Sequence, residues 1–199
     1  PIPFFGELGS VNPMFLLPEA LAARGAEIAA GWAASLTMGA GQFCTNPGLA
    51  IVIEGPEADG FVAAAKAAVA QVGAQMMLTD GIAAAYRQGR DRIAATVGVQ
   101  EVLTSVCDQR HATPYLFAVS GADWLANHQL GEEVFGPLGL IVKVADAAQM
   151  LAIAQSLEGQ LTCTLHLEAG DYPAAAVLLP VLERKAGRLL ANGFPTGVE

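Results

Sequence analysis

Alternation narrows the fold of this chain more than any other feature: short apolar runs of strand type and longer runs of helical periodicity follow one another from end to end. Residues 12–17 read as a strand, and an Ala-rich helical stretch follows to about Met38. Leu49–Ile53 is a second, buried strand. After the turn Glu54-Gly55-Pro56, residues Phe61, Ala65, Val69, Val72 and Met76 recur on one helical face. Asp80 is placed to cap a further helix with the stripe Ile82, Tyr86, Gly89 and Ile93, and residues 115–119 form the next strand. Residues 138–144 are a strand, Asp146 caps a helix running through Leu157, and residues 161–167 are a strand of mixed character. Asp171 opens a last helix toward Lys185, and residues 187–191 close the pattern as a strand. Strands separated by helices need crossover connections rather than hairpins. The expected architecture is therefore a single three-layer α/β/α domain with a mostly parallel sheet.

Composition removes several classes of function. With 53% hydrophobic residues, the 199-residue chain can bury one sizeable core. A net charge of -9 without a Lys/Arg cluster argues against nucleic acid as a partner. Residues 28–53 carry no charged side chain, but Gln42, Asn46, Pro47 and scattered glycines would leave polar groups unsatisfied in lipid, so no membrane span is expected. Cys44, Cys107 and Cys163 form no CxxC pair, and His111, His128 and His166 show no ligand spacing, so neither a disulfide framework nor a metal site is expected. This cysteine usage, and a first segment without a basic signal-peptide region, suit the cytoplasm. Cys107 and Cys163 are expected to be structural, the histidines satisfied polar groups or surface residues, and Trp32 and Trp124 packing anchors.

Chemistry is concentrated at Cys44, in the run Gly41-Gln42-Phe43-Cys44-Thr45-Asn46-Pro47-Gly48. A thiol at the end of a helical pattern and just before a strand can open onto a cleft, although a lone cysteine is more often a small buried hydrophobe. Four segments taken together decide between these readings: Gly6-Glu7-Leu8-Gly9-Ser10, Gly41-Gln42-Phe43-Cys44, Glu133-Val134-Phe135-Gly136-Pro137 and Asn192-Gly193-Phe194-Pro195-Thr196-Gly197. In content, order and separation they resemble the catalytic domain of the aldehyde dehydrogenase superfamily. The resemblance implies that fold over residues 1–199, with Cys44 as nucleophile and Glu7 working on hydrolytic water. It also implies that Glu133 holds the nicotinamide ribose of NAD or NADP, with Phe135 packing beside the ring. Phe43, Thr45, Phe194 and Thr196 flank the motif positions as candidates to line an aldehyde tunnel.

Two departures from the family pattern stand out. Ser10 replaces the second glycine after Glu-Leu, and Asn46-Pro47-Gly48 replaces the usual small and basic residues after the cysteine. Both look like the branch that oxidises 2-oxoglutarate semialdehyde (2,5-dioxopentanoate). No G-x-G-x-x-G loop occurs. The resemblance implies a separate dinucleotide-binding domain of the same full-length protein, which is expected to be a homo-oligomer, and an isolated chain that is inactive. Two alternatives stay open at this point: an acylating relative that releases product to coenzyme A, disfavoured by Glu7, and an assembly module whose sheet edge joins subunits while Cys44 is inert.

Overall fold

The structure, a computed structural model, describes residues 2–3, 9–106 and 110–196. Its described residues form nine strands: β1 (Met14–Leu16), β2 (Leu49–Ile53), β3 (Gln75–Met76), β4 (Gln100–Leu103), β5 (His111–Ala112), β6 (Tyr115–Ser120), β7 (Leu138–Val144), β8 (Gln160–His166) and β9 (Ala186–Ala191). The helices are α1 (Pro18–Thr37), α2 (Pro56–Val69), α3 (Asp80–Ala94), α4 (Gly121–Ala126), α5 (Ala147–Ser156) and α6 (Tyr172–Leu182). Seven strands make one sheet in the order β4-β6-β7-β2-β1-β8-β9. Every neighbouring pair in it is parallel except β4 with β6. The short strands β3 and β5 form a separate antiparallel ribbon. The mostly parallel α/β architecture expected from the alternating runs is the one observed.

Period-two alternation divides the core between the two faces of the sheet. Met14, Leu16, Ala50, Val52 and Ile141 pack under α1 and α2 with Trp32 and Phe61. Phe15, Ile51, Leu140, Val142 and Leu165 pack under the other helices with Tyr86, Trp124, Ile153 and Leu178. Burial on both faces makes these strands read as unbroken apolar runs. Both tryptophans are packing anchors, as expected: Trp32 is fully buried, stacks on Phe61 and donates its indole N–H to the Pro47 carbonyl at 2.7 Å. No helix among the described residues is long and apolar enough to cross a membrane.

Four expectations need correction. Helix α2 stops at Val69, so Val72 is outside it and Met76, on β3, is exposed. Gly73 lies four residues beyond that end, and a glycine there penalises continuation of the helix toward Met76. The cap of α3 is Thr79, whose hydroxyl accepts the Ile82 N–H at 3.1 Å; Asp80 is the first helical residue. Asp171 directly precedes the last helix, as expected, but its side chain does not cap that helix, which ends at Leu182, short of Lys185. Its buried carboxylate instead accepts the amides of Glu19 and Ala20 at 3.0 Å each, capping α1, which Leu17 enters without a capping side chain.

The fourth correction is His166. It is 1% exposed at the end of β8, with its ring 5.1 Å from that of Phe194, and neither ring nitrogen meets a hydrogen-bond partner of good geometry among the described residues. Burial first, and the charge of Arg24 second, push its pKa down to about 4, with the Gly193 backbone opposing weakly. Because the folded value lies below the ordinary one of about 6.5, the unfolded chain takes up a proton that the folded chain refuses. This residue therefore costs no stability above about pH 6.5, and costs progressively more as pH falls toward 4, reaching about 3 kcal/mol. His166→Leu is expected to flatten the dependence of the denaturation midpoint on pH across that window. Equal slopes in both proteins would refute the assignment.

Candidate active site

The functional segments enter the sheet side by side. Residues 9–13 lead into β1, the Cys44 loop leads into β2, residues 133–137 lead into β7, and Gln160 is the first residue of β8. These strands are consecutive neighbours, β7-β2-β1-β8, and all run parallel. The site therefore forms at the amino ends of the strands, opposite to the carboxyl-end crevice usual in open parallel sheets.

The approach to Cys44 is a left-handed turn. After α1, Gly39, Ala40 and Gly41 have φ values of 56°, 58° and 66°, which reverse the chain. The Ala40 amide is secured by Gln75 Oε1 at 2.6 Å, and Gln42 bridges the Gly39 carbonyl and the Leu78 amide at 2.9 Å each. Asn46 donates its side-chain amide to the carbonyls of Leu36 and Gly41 at 2.9 and 3.0 Å. The Asn46-Pro47 departure noted in the sequence is thus an internal brace, from which Pro47 also reaches Trp32. Cys44 is exposed, Phe43 is 37% exposed beside Gly39, and Thr45 is half-buried. The Cys44 amide donates to no acceptor among the described residues.

The second motif meets the first through bare backbone. A Cβ on Gly41 would lie 2.3 Å from the carbonyl carbon of Gly136, and one on Gly136 would lie 2.2 Å from the Tyr86 ring. Tyr86, fully buried, fixes that corner by donating its hydroxyl to the Thr113 carbonyl at 2.8 Å. In the acidic pair, Glu132 is engaged by Arg92, whereas Glu133 directs its carboxylate toward the backbone at Gly9. Phe135 is 37% exposed next to it. Ser10, Gly41, Asn46, Glu133 and Phe135 line a common hollow, and a neighbouring cleft of about 520 Å³ continues past Gly9, Glu133, His128 and Gln160.

The structure thus packs the loop that carries Phe43, Cys44 and Thr45 against the segment that carries Glu133 and Phe135, through Gly41 and Gly136. Glu7 and Cys107 lie outside the described residues. Phe194 packs elsewhere, against α1 at Gly31 and against His166, at the end of β8 remote from Gln160. Thr196 shares a hydrogen bond with Ser35 further along α1. Cys163 is buried in β8, and burial pushes its thiol up to about 12.

Three residues of this site were not read from the sequence as functional. Asn12, fully buried at φ 45°, donates its amide to the carbonyls of Cys44 and Asn46 at 2.9 Å each and accepts from Thr162. Gln160 Oε1 accepts the amides of Val11 and Asn12 at 2.9 and 3.1 Å. Ser10 Oγ lies 2.9 Å from Asn12 Oδ1 and 3.0 Å from Gln160 Oε1, and accepts the Leu161 amide. Only the unusual serine at position 10 signalled this cluster; the partners come together through strand register.

Residues 2–169 match the aldehyde dehydrogenase family. The chain belongs to that family. Among its relatives, alpha-ketoglutaric semialdehyde dehydrogenase 2 of Azospirillum brasilense is 51% identical and the alpha-ketoglutaric semialdehyde dehydrogenase of Acinetobacter baylyi is 44% identical, each over the whole of this chain. The chain spans 38% of the length of either relative. The aldehyde dehydrogenase fold is seen again in the NADP-dependent glyceraldehyde-3-phosphate dehydrogenase of Bacillus halodurans, crystallised with NADP. That structure superposes with a TM-score of 0.79 at 21% identity, over 94% of this chain and 39% of the other.

Proposed function

We propose that this chain is the catalytic part of an NAD(P)+-dependent aldehyde dehydrogenase acting on 2-oxoglutarate semialdehyde. The observation that carries the reading is an exposed thiol whose loop is packed, backbone to backbone, on the segment that presents Glu133 and Phe135. The two relatives named for alpha-ketoglutaric semialdehyde support the choice of substrate.

In this reading the Cys44 thiolate attacks the aldehyde carbon, forming a C–S bond while the carbonyl electron pair moves to oxygen. The Cys44 amide, with no acceptor of its own among the described residues, is a donor for that oxyanion. When bound, an oxidised nicotinamide supplies a hydride acceptor, which leaves a thioester on Cys44. Glu7 then takes a proton from water as the water attacks the thioester, the C–S bond breaks, and the carboxylate product departs with the thiolate restored. Glu133 suits the ribose: a carboxylate accepts from two vicinal hydroxyls, and the exposed face of Phe135 offers a surface for the ring beside it. The dinucleotide's adenine end is assigned to another part of the full-length protein.

The test uses the full-length protein with 2-oxoglutarate semialdehyde and either cofactor. NAD(P)H formation is expected, and Glu7→Gln is expected to retain a first burst of about one equivalent per site, followed by turnover slowed about 100-fold. Absence of cofactor reduction with both NAD+ and NADP+ would overturn the reading.

A further inference from the structure

We infer that Ser10 and Gln160 are positioning residues for the Cys44 nucleophile, acting through Asn12. The inference rests on the reading of Cys44 as nucleophile and names residues that the reading itself does not require.

Asn12 holds a backbone conformation, φ 45°, that is uncommon for a residue with a side chain, and it does so while fully buried. Such a conformation persists only where the surroundings over-determine it. Here they do. Gln160 Oε1 accepts the consecutive amides of Val11 and Asn12, and Thr162 supplies two donors to Asn12 Oδ1 at 3.1 and 3.2 Å. The side-chain amide of Asn12 is thereby aimed across to the neighbouring strand entry, where its two hydrogens satisfy the carbonyls of Cys44 and Asn46. Those carbonyls bracket the turn that carries the thiol, closed by the Asn46 amide on the Phe43 carbonyl at 3.0 Å.

Ser10 joins the ends of this chain of contacts. Its hydroxyl has one hydrogen, within reach of both Asn12 Oδ1 and Gln160 Oε1, and its lone pairs take the Leu161 amide at 3.0 Å. A glycine at position 10 has no atom to make any of these bonds. It also follows Gly9, whose backbone faces the Glu133 carboxylate. One buried polar cluster therefore sets the Cys44 loop against the segments on either side, and the serine that departs from the family pattern is part of it. Removal of the Gln160 acceptor leaves two amides without a partner and lets Asn12 relax from its strained conformation, so that the tether Asn12 gives the turn carrying Cys44 is loosened.

The experiment compares Gln160→Leu, Ser10→Ala, the double variant and Gln160→Glu in the full-length protein. Two quantities are read: amide exchange at Asn46 and Gly48, and kcat per titratable Cys44 thiol. Gln160→Leu is expected to speed exchange at both amides and to lower kcat per thiol about tenfold with KM within about twofold, a cost of ~1.4 kcal/mol in the transition state. The double variant should be no worse than Gln160→Leu, because both residues act through Asn12. Gln160→Glu, which keeps an acceptor in place, should return kcat to within about threefold of the unsubstituted protein. A merely structural cluster would lower the thermal midpoint and the number of titratable thiols while leaving kcat per thiol unchanged, and that result would overturn the inference. Unchanged exchange in a folded Gln160→Leu variant would do so as well. An unsubstituted protein that oxidises no aldehyde would instead overturn the functional reading on which the inference stands.

Discussion

In the full-length protein, Cys44→Ala is expected to lower NAD(P)+-dependent aldehyde oxidation by at least about 10³-fold while shifting stability by no more than about 0.5 kcal/mol. The separation of the two effects follows from where the sulfur sits. Cys44 is exposed and fills no part of either core cluster, so its removal opens no cavity. Its chemical loss is not made good by Cys163, which is fully buried with its thiol pushed up to about 12. At neutral pH the thiolate fraction at such a site is about one part in 10⁵, and no reagent reaches it without opening the sheet. Brief treatment with iodoacetamide should therefore label Cys44 and spare Cys163 until the protein is unfolded, as read by mass spectrometry of the two peptides. Retention of a tenth or more of the activity in folded Cys44→Ala would sink the assignment of this thiol as nucleophile.

How much of this was legible in the sequence depended on whether an element's information was local. Strand β7 could be read to the residue, because a strand buried on both faces must be apolar throughout, and α5 followed from Asp146, whose carboxylate caps the Gln149 amide at 2.8 Å. Strand β4 was missed: as an exposed edge, paired antiparallel to β6, its Gln-Glu-Val-Leu sequence carries no apolar signature. Thr79 and Asp80 are equally good capping residues one position apart, and nothing local chooses between them. Within the candidate site, the Cys44 and Glu133 segments stood out as compact motifs. Asn12 and Gln160 did not, because their partnership spans 148 residues and exists only because β1 and β8 are neighbours in the sheet. The burial of His166 was hidden for a related reason: the ring is enclosed by Phe194 from beyond the next strand. Local periodicity finds elements, whereas pairings set by sheet order have no one-dimensional signature.

Sheet order also makes Gly41 the position at which a single methyl group should do the most harm. Gly41→Ala faces two separate penalties. At φ 66° an alanine costs about 1–2 kcal/mol relative to glycine. Its Cβ would in addition lie 2.3 Å from the Gly136 carbonyl carbon and 2.5 Å from the Gly136 oxygen and the Pro137 nitrogen. These are backbone atoms, which cannot swing aside as a side-chain end can. Relief requires moving residues 136–137, yet these are pinned by the Tyr86 ring on one side and by the entry to β7 on the other. Overpacking of this kind adds about 1–3 kcal/mol, for a total on the order of 2–5 kcal/mol and a fall in thermal midpoint on the order of 10 °C. Because the forced movement separates the Cys44 loop from the Glu133–Phe135 segment, the surviving folded protein should also lose most of its aldehyde oxidation. Gly60→Ala is the contrasting control. Within α2, with nothing inside 4 Å of the new methyl group, it should raise stability by about 0.5–1 kcal/mol through helix propensity and leave activity unchanged. A Gly41→Ala protein that melts and turns over like the unsubstituted one would show that the two loops are not in the backbone contact on which the site depends.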